Sequence, residues 1–483
     1  MHRSFIPGVA ALIFSCAGFS QTISYPIVDT DVSDYSNHIE LISAPVTGEP
    51  FYGQDASYQG NVPSYIDHGD GTVTDHVTGL TWEQDMGSKI SYADAMIKAD
   101  TMTLGGYDDW RVPTIKELYS LILFSGRVSG ASAIDPFIDT TCFNQPLGNT
   151  DLGEREIDAQ TWSSTQYKGL TMNDDSTVFG VNFVDGRIKG YPKYQPGSNN
   201  TVPRSMYFRM VRGNQSYGFN DFENNGDGTI SDQTTGLMWQ QADDGQVYDW
   251  EGALSYAEEL ESGGYDDWRL PNAKELQSIV DYSRSPQSTG SPAIDPLFHT
   301  TSMNDPDGNP GHYPYFWTGT THQDGPNPLS SAVYIAFGEA QGLMNDVLMD
   351  VHGAGSQRSD PKSGDMDAYP QYHGPQGDVR YVFNAVRCVR DMDVSETPIK
   401  VSDNQEFTFV FPNPATDFCM VHTAMGEAEY DLQMFDSTGR LLLRLDHLID
   451  ETISIDLGER YEGVYIICLV ADKEYKTLKV IKQ

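Results

Sequence analysis

Residues 105–118 read "GGYDDWRVPTIKEL", and residues 263–276 read "GGYDDWRLPNAKEL". In each copy a glycine pair ends a predicted helix and turns the chain. An aromatic and acidic strand follows, and then a helix starts after the proline. Thr114 with Glu117, and Asn272 with Glu275, have the spacing of a capping box, in which the first side chain accepts from the N3 backbone and the glutamate reaches back. Asp108–Asp109 and Asp266–Asp267 are poor acid/base partners, because neighbours on a strand point to opposite faces. One of each pair is expected to hold Arg111 or Arg269, or a helix N-terminus. The stretch therefore reads as scaffold, and its duplication sets the architecture.

Working outward, four more blocks recur in the same order. "GDGTVTDHVTGLTW" (69–82) returns as "GDGTISDQTTGLMW" (226–239), and "AIDPFIDTT" (133–141) as "AIDPLFHTT" (293–301). "TWSST" (161–165) answers "FWTGT" (316–320), and "RMVRG" (209–213) answers "RCVRD" (387–391). Ordered blocks at a long period mark a duplicated domain rather than a solenoid. The reading gives repeat 1 at 61–215 and repeat 2 at 216–391. Each repeat predicts a hairpin turning at Gly79 or Gly236 and a helix over "SYADAMIKADTM" or "DWEGALSYAEELES". Strand candidates are 176–183, 331–337 and the terminal "YFRMVRG". Few helices and long Gly/Pro/Asn/Asp loops around a small sheet give an α+β expectation. Trp82/Trp239, Trp110/Trp268 and Trp162/Trp317 recur at equivalent places, as core residues would.

The ends differ. Residues 1–20 have one Arg, an apolar run too short to span a bilayer, and small residues before Gln21, the pattern of a secretory signal; Cys16 as a lipidation site is the alternative. An N-terminal extension covers 21–60, a linker 392–406, and an all-β unit of strand runs, read as a small immunoglobulin-like sandwich, 407–483. No later stretch is long and apolar enough for a transmembrane helix.

The net charge of -39, from 69 acidic against 30 basic residues, argues against nucleic acid and opposes sulfated polysaccharides. After the signal four cysteines remain. Cys419 and Cys468 lie on strands of one small unit and are the readier disulfide; Cys142 and Cys388 either bridge the repeats or stay free. No cysteine spacing suggests zinc.

Two candidate sites emerge. Asp67, Asp70 and Asp75, with Asn225, Asp227 and Asp232 in the second copy, place oxygens around glycine turns and make calcium the candidate cofactor. The alternative is that these side chains bond their own backbone. The stretch 346–380, which repeat 1 replaces with a shorter one, gathers Asp350, His352, Arg358, Asp360, Tyr372 and His373 in a Gly/Pro-rich loop. It is the preferred ligand site, by side chains that ligate metal or bond a sugar, against a solvated loop as the alternative.

The ordered blocks resemble the family named for the C-terminal domain of a Legionella collagen-like adhesin, grouped with the C-type-lectin-like fold. That resemblance implies an extracellular binding or adhesion module; the adhesin binds glycosaminoglycans, which the acidity here opposes. Residues 407–483 resemble the C-terminal sorting domain of the Bacteroidetes type IX secretion system, through Pro412–Asn413–Pro414, Asp436, Gly439–Arg440, Gly463, Tyr465, Lys479 and Lys482. This implies Sec export, outer-membrane passage and handling by that machinery. The expectation is an exported, non-catalytic surface or secreted protein recognising a glycan or protein partner. The alternatives are a metal-dependent enzyme using Asp350, His352 and His373, or a structural surface component.

Overall fold

The computed structural model describes residues 25–130, 133–392, 409–411, 415, 418–423, 430–436, 440–449, 452–458, 460–461, 463–471 and 474–482. The predicted signal, most of the linker, Pro412–Asn413–Pro414 and Gly439 lie outside the described residues. The chain divides into two compact units, residues 1–392 and 393–483.

In the first unit a six-stranded antiparallel sheet is shared by both repeats. Repeat 1 supplies β1 (Thr161–Gln166), β2 (Thr177–Asn182) and β3 (Arg187–Pro192). Repeat 2 supplies β4 (Tyr315–Thr321), β5 (Ser331–Ala336) and β6 (Gln357–Pro361). The spatial order is β4-β5-β6-β3-β2-β1, so the copies meet at a β3/β6 seam where Ile188 pairs with Gln357. Each repeat also builds a four-stranded antiparallel sheet in which the strand ending in the "VR" block pairs with the "GLxW" strand: Val211 opposite Trp82, Val389 opposite Trp239. The six tryptophans of the equivalent pairs are all buried.

The α+β expectation, with its C-type-lectin-like repeats, is overturned. Strands hold 37% of the residues and helices 11%, mostly in many small antiparallel sheets. The predicted helices form but stay short: α1 (Tyr92–Thr101), α2 (Ile115–Tyr119), α3 (Trp250–Glu258) and α4 (Ala273–Ser278). Loop-like Gly/Asn/Asp composition instead resolves into brief strands joined by tight turns, too short for two-residue alternation to be read from sequence.

The duplicated stretch is scaffold down to single atoms. Both capping boxes are present, at Thr114/Glu117 and Asn272/Glu275. The same glutamates hold Arg111 and Arg269 through paired bonds of 2.5 to 2.7 Å. Asp109 and Asp267 reach further than expected, to Arg212 and Arg390, each 2.6 Å away from its carboxylate partner. Those two guanidiniums also stack on Tyr107 and Tyr265. The glycines do not end the helix, which stops at Thr101. They form the left-handed centre of a two-residue turn in which Leu104 and Tyr107, or Ser262 and Tyr265, exchange backbone bonds. A Cβ on Gly105 would lie 2.7 Å from the Thr72 methyl, and one on Gly263 2.5 Å from that of Thr229, so the "GGY" turn packs on the "GDGT" strand.

The lysine of each "KEL" latches the opposite repeat. Lys116 Nζ donates to Ser278 O at 2.7 Å, and Lys274 Nζ donates to Ser120 O at 3.0 Å. The N-terminal extension straps both copies: Tyr25 N donates to Thr234 O, Phe124 N to Thr30 O, and Asp55 accepts from Thr30 and Thr320.

The second unit consists of a three-stranded and a four-stranded antiparallel sheet. Their buried residues, among them Cys419, Leu432, Ile455 and Ile467, form one cluster.

Candidate ligand cleft

The stretch 346–380 is not a solvated loop. Strands Gln341–Met344, Val347–Asp350, Tyr372–His373 and Asp378–Val379 make a four-stranded sheet, and β6 carries the middle of the stretch into the shared sheet. Asp350, His352, Arg358, Asp360 and Asp378 are all buried.

The expected site residues separate into three groups. Asp350 accepts from the Tyr167 hydroxyl at 2.6 Å and from Gly353 N at 2.8 Å, a bond between the repeats. Asp360 accepts from Tyr381 N at 3.1 Å, and burial raises both carboxyls to about 7. His352, Arg358 and Asp378 form the third group. His352 Nε2 lies 2.8 Å from Asp378 Oδ1, Arg358 donates to Asp378 Oδ2 at 2.6 Å, and Arg358 also touches the His352 ring. Burial and the neighbouring Arg358 bring the His352 imidazole down to about 3, so at neutral pH it is an uncharged ring beside the Arg358–Asp378 ion pair. Arg358 and His352 together hold the Asp378 carboxyl well below the usual carboxylate range, against the effect of burial. Tyr372 sits half-buried in a short strand opposite Val379.

Around this ion group lies a cleft of about 530 Å³ at the seam. Strand alternation explains its walls. Ile188 and Gln357 are paired and face the core, so Arg187, Lys189 and Tyr191 on β3 share the other face with Arg358 on β6. His373 and Asp378 close one side, and Arg204 of repeat 1 another. Burial, with Arg380 and Arg358 adding to it, lowers the His373 imidazole to about 4.

The charges of the cleft do not cancel. Lys89 pairs with Glu154 at 2.6 Å and Arg155 with Asp158 at 2.7 Å. Arg187 pairs with Asp185 at 3.3 Å and also with Asp324, and Arg358 is held by Asp378. Among the described residues no carboxylate lies within ion-pair distance of Lys189 or Arg204, and both are half-buried. Burial and the adjacent Arg358 bring the Lys189 amine down to about 7.

The candidate calcium ligands each bond their own turn or its neighbours. Asp67 accepts from Gly69 N and Gln84, Asp70 from Thr72 N and its hydroxyl, and Asp75 from Val77 N and Thr78. In repeat 2, Asn225 bonds Thr229 and Ser231, Asp227 bonds Thr229, and Asp232 accepts from Asn220, Asp221 N and Thr234. Among the described residues no three His, Cys, Asp or Glu side chains are grouped to hold a metal. The Asp/Gly pattern is that of side chains bonding their own turns. Of the two alternatives for Cys142 and Cys388, a bridge between the repeats or free thiols, the structure has the second. Cys388 is buried in the second core, at the place of buried Met210, whereas Cys142 packs at the edge of the first. Cys419 and Cys468 occupy strands of different sheets in the second unit.

Some structural residues were missed from the sequence. Arg209 and Arg387, fully buried, donate to three backbone carbonyls each: Glu83, Gln84 and Asn144, or Gln240, Gln241 and His299. Their only signal was recurrence in the "RMVR" and "RCVR" blocks.

A duplicated, mostly β domain, with its copies fused through one sheet and a charged cleft at their junction, defines the class. The chain belongs to the Lcl C-terminal domain family, which matches residues 71–211 and 228–348, together more than half of it. Residues 409–483 match the secretion system C-terminal sorting domain, which marks the chain for export through type IX secretion to the cell surface or the medium. No curated protein matches. Among solved structures there is a "Biofilm associated protein - BSP domain" at 13% identity and a TM-score of 0.13, covering 67% of this chain. This chain spans 56% of that structure's length, and the likeness supports no argument about fold or function. Among the described residues no helix is long and apolar enough to cross a membrane.

Proposed function

We propose that the protein is a non-catalytic binding or adhesion protein that holds a glycan or protein partner in the cleft at the seam of its two repeats. The observation that carries this reading is the cleft itself: both copies build its walls, and the segment found only in repeat 2 closes it. Cleft size falls in the range of ligand sites, and its polar groups converge from separate strands on one space. The family and the sorting tail support an extracellular role. Of Asp350, His352 and His373, the set on which a metal-dependent enzyme would rest, Asp350 is taken by Tyr167 and Gly353 N, and the His352 Nε2 by Asp378, which favours binding over that chemistry.

The test presents the mature full-length protein to a glycan array and to immobilised extracellular proteins, beside an Arg204→Glu variant. Binding that the variant loses is the expected result. Binding to neither surface, or binding that ignores cleft variants, would remove the basis for the reading.

A further inference from the structure

Lys189 and Arg204 face the cleft without a carboxylate partner, in a chain with 69 acidic residues and a net charge of -39. Carboxylates are abundant, yet each one lining the cleft is paired with another cation; Asp185 and Asp378 act on Lys189, and Asp175 on Arg204, only from beyond ion-pair distance, which leaves both cations half-buried without a direct partner. Half-buried charge without a partner is unfavourable unless something else supplies the opposite sign. Tyr191 stands two residues beyond Lys189 on the same strand face and gives the cleft an apolar wall. The remaining surface field is strongly negative and repels an extended polyanion, whereas a small ligand places one charge inside and little outside.

We propose that the cleft binds a small or terminal ligand through one anionic group, a carboxylate or a phosphate, held between Lys189 and Arg204 with its uncharged part against Tyr191. This rests on the reading of the cleft as a binding site and gives that site its ligand class. Lys189 supplies a point charge, and Arg204 a planar fork able to take two oxygens of one group. Arg358 stays with Asp378 and adds long-range attraction only.

Isothermal titration of the full-length protein uses four probes: D-glucuronate, inorganic phosphate, D-glucose as the neutral counterpart of glucuronate, and dextran sulfate as a polyanion. Glucuronate or phosphate binding is expected, with affinity falling about tenfold in Lys189→Gln and again in Arg204→Gln, the loss that follows from removing one charged hydrogen bond. The tighter of the two probes identifies the anion. Unchanged tryptophan fluorescence and urea midpoints in both variants keep a folding defect from imitating the result. Glucose bound as tightly as glucuronate, affinity retained in both variants, or dextran sulfate bound more tightly per site than either small anion would overturn the anion inference. So would no heat from any anion up to about 10 mM. In each of these cases the array result above still decides separately whether the cleft binds anything.

Discussion

Asp378→Asn is the perturbation that weighs the ion group under the cleft. The carboxylate donates nothing and accepts from two sides: Arg358 at 2.6 Å and His352 at 2.8 Å, with side-chain exposures of 5% for the aspartate, 8% for the arginine and 1% for the histidine. An amide keeps the shape but removes the charge, leaving Arg358 with no carboxylate in a buried setting. Breaking a buried pair from one side costs about 3–5 kcal/mol, and water in the adjoining cleft argues for the lower end, about 3 kcal/mol. The pH sign follows from the depressed Asp378 carboxyl. Its stabilisation is present above the unfolded value near 3.8 and is lost as pH falls toward the folded value. The gap between wild type and variant should therefore be full at pH 7 and narrow below about pH 4. Urea unfolding followed by tryptophan fluorescence is the assay. All seven tryptophans lie between Trp82 and Trp317, so the signal reports on the first unit alone. A midpoint change equivalent to less than about 1 kcal/mol at pH 7, or a gap that is the same at pH 3 and pH 7, would refute the ion-pair account.

Three further outcomes follow from the same structure. Lys274→Met removes the donor for Asp29 O and Ser120 O, so the first unit should lose about 1–3 kcal/mol by the same urea assay; a neutral or stabilising result would sink the inter-repeat latch. Burial raises Asp55 from 3.8 to about 7, so its protonated form stabilises the fold fully below the unfolded value and that contribution is lost as pH rises through about 7. Asp55→Asn should accordingly gain on wild type between pH 4 and pH 8, by up to about 4 kcal/mol, and parallel pH profiles would contradict the assignment. Calcium addition or chelation should leave the thermal midpoint of the first unit unchanged, because Asp67, Asp70, Asp75, Asp227 and Asp232 are committed to their own turns; a saturable rise with calcium would show otherwise.

The local chemistry was legible where it depends on neighbours in sequence. Capping boxes, hairpin turns and the recurring tryptophans are set by residues a few positions apart or by pattern, and they appear as read. The fold class was not legible, because it depends on which short segments pair. Nothing in "GRIKGYP" or "GSQRSDPKS" announces that Ile188 will pair with Gln357, a partner far along the chain. Composition also misled at 346–380. Gly353, Gly355, Gly374 and Gly377 adopt left-handed backbone as turns between strands, and a sequence rich in Gly, Asp and Pro does not separate that arrangement from a solvated loop. One aspartate of each pair is expected from sequence to hold the nearby Arg111 or Arg269, or a helix N-terminus, whereas the strand geometry offers Asp109 and Asp267 the second arginine of the distant "VR" block.

The seam also explains why divergence, rather than repetition, makes the site. "GYPK" at 190–193 and "SDPK" at 359–362 occupy equivalent ends of β3 and β6, and their lysines repeat one role: Lys193 lies over Tyr92, and Lys362 over Trp250. The same alignment makes Lys189 the counterpart of Arg358. A duplicated domain closing on itself through equivalent strands thus brings two like charges to its junction, which a symmetric pair cannot neutralise without acquiring acid on both sides. Repeat 2 has a hairpin that carries Asp378 to Arg358, and repeat 1 has no equivalent for Lys189. The result is one satisfied cation and one open one on adjacent strands. A ligand anion at Lys189 would occupy the place that Asp378 fills beside Arg358, which is why the open charge, and not the duplicated scaffold, is where recognition should be sought.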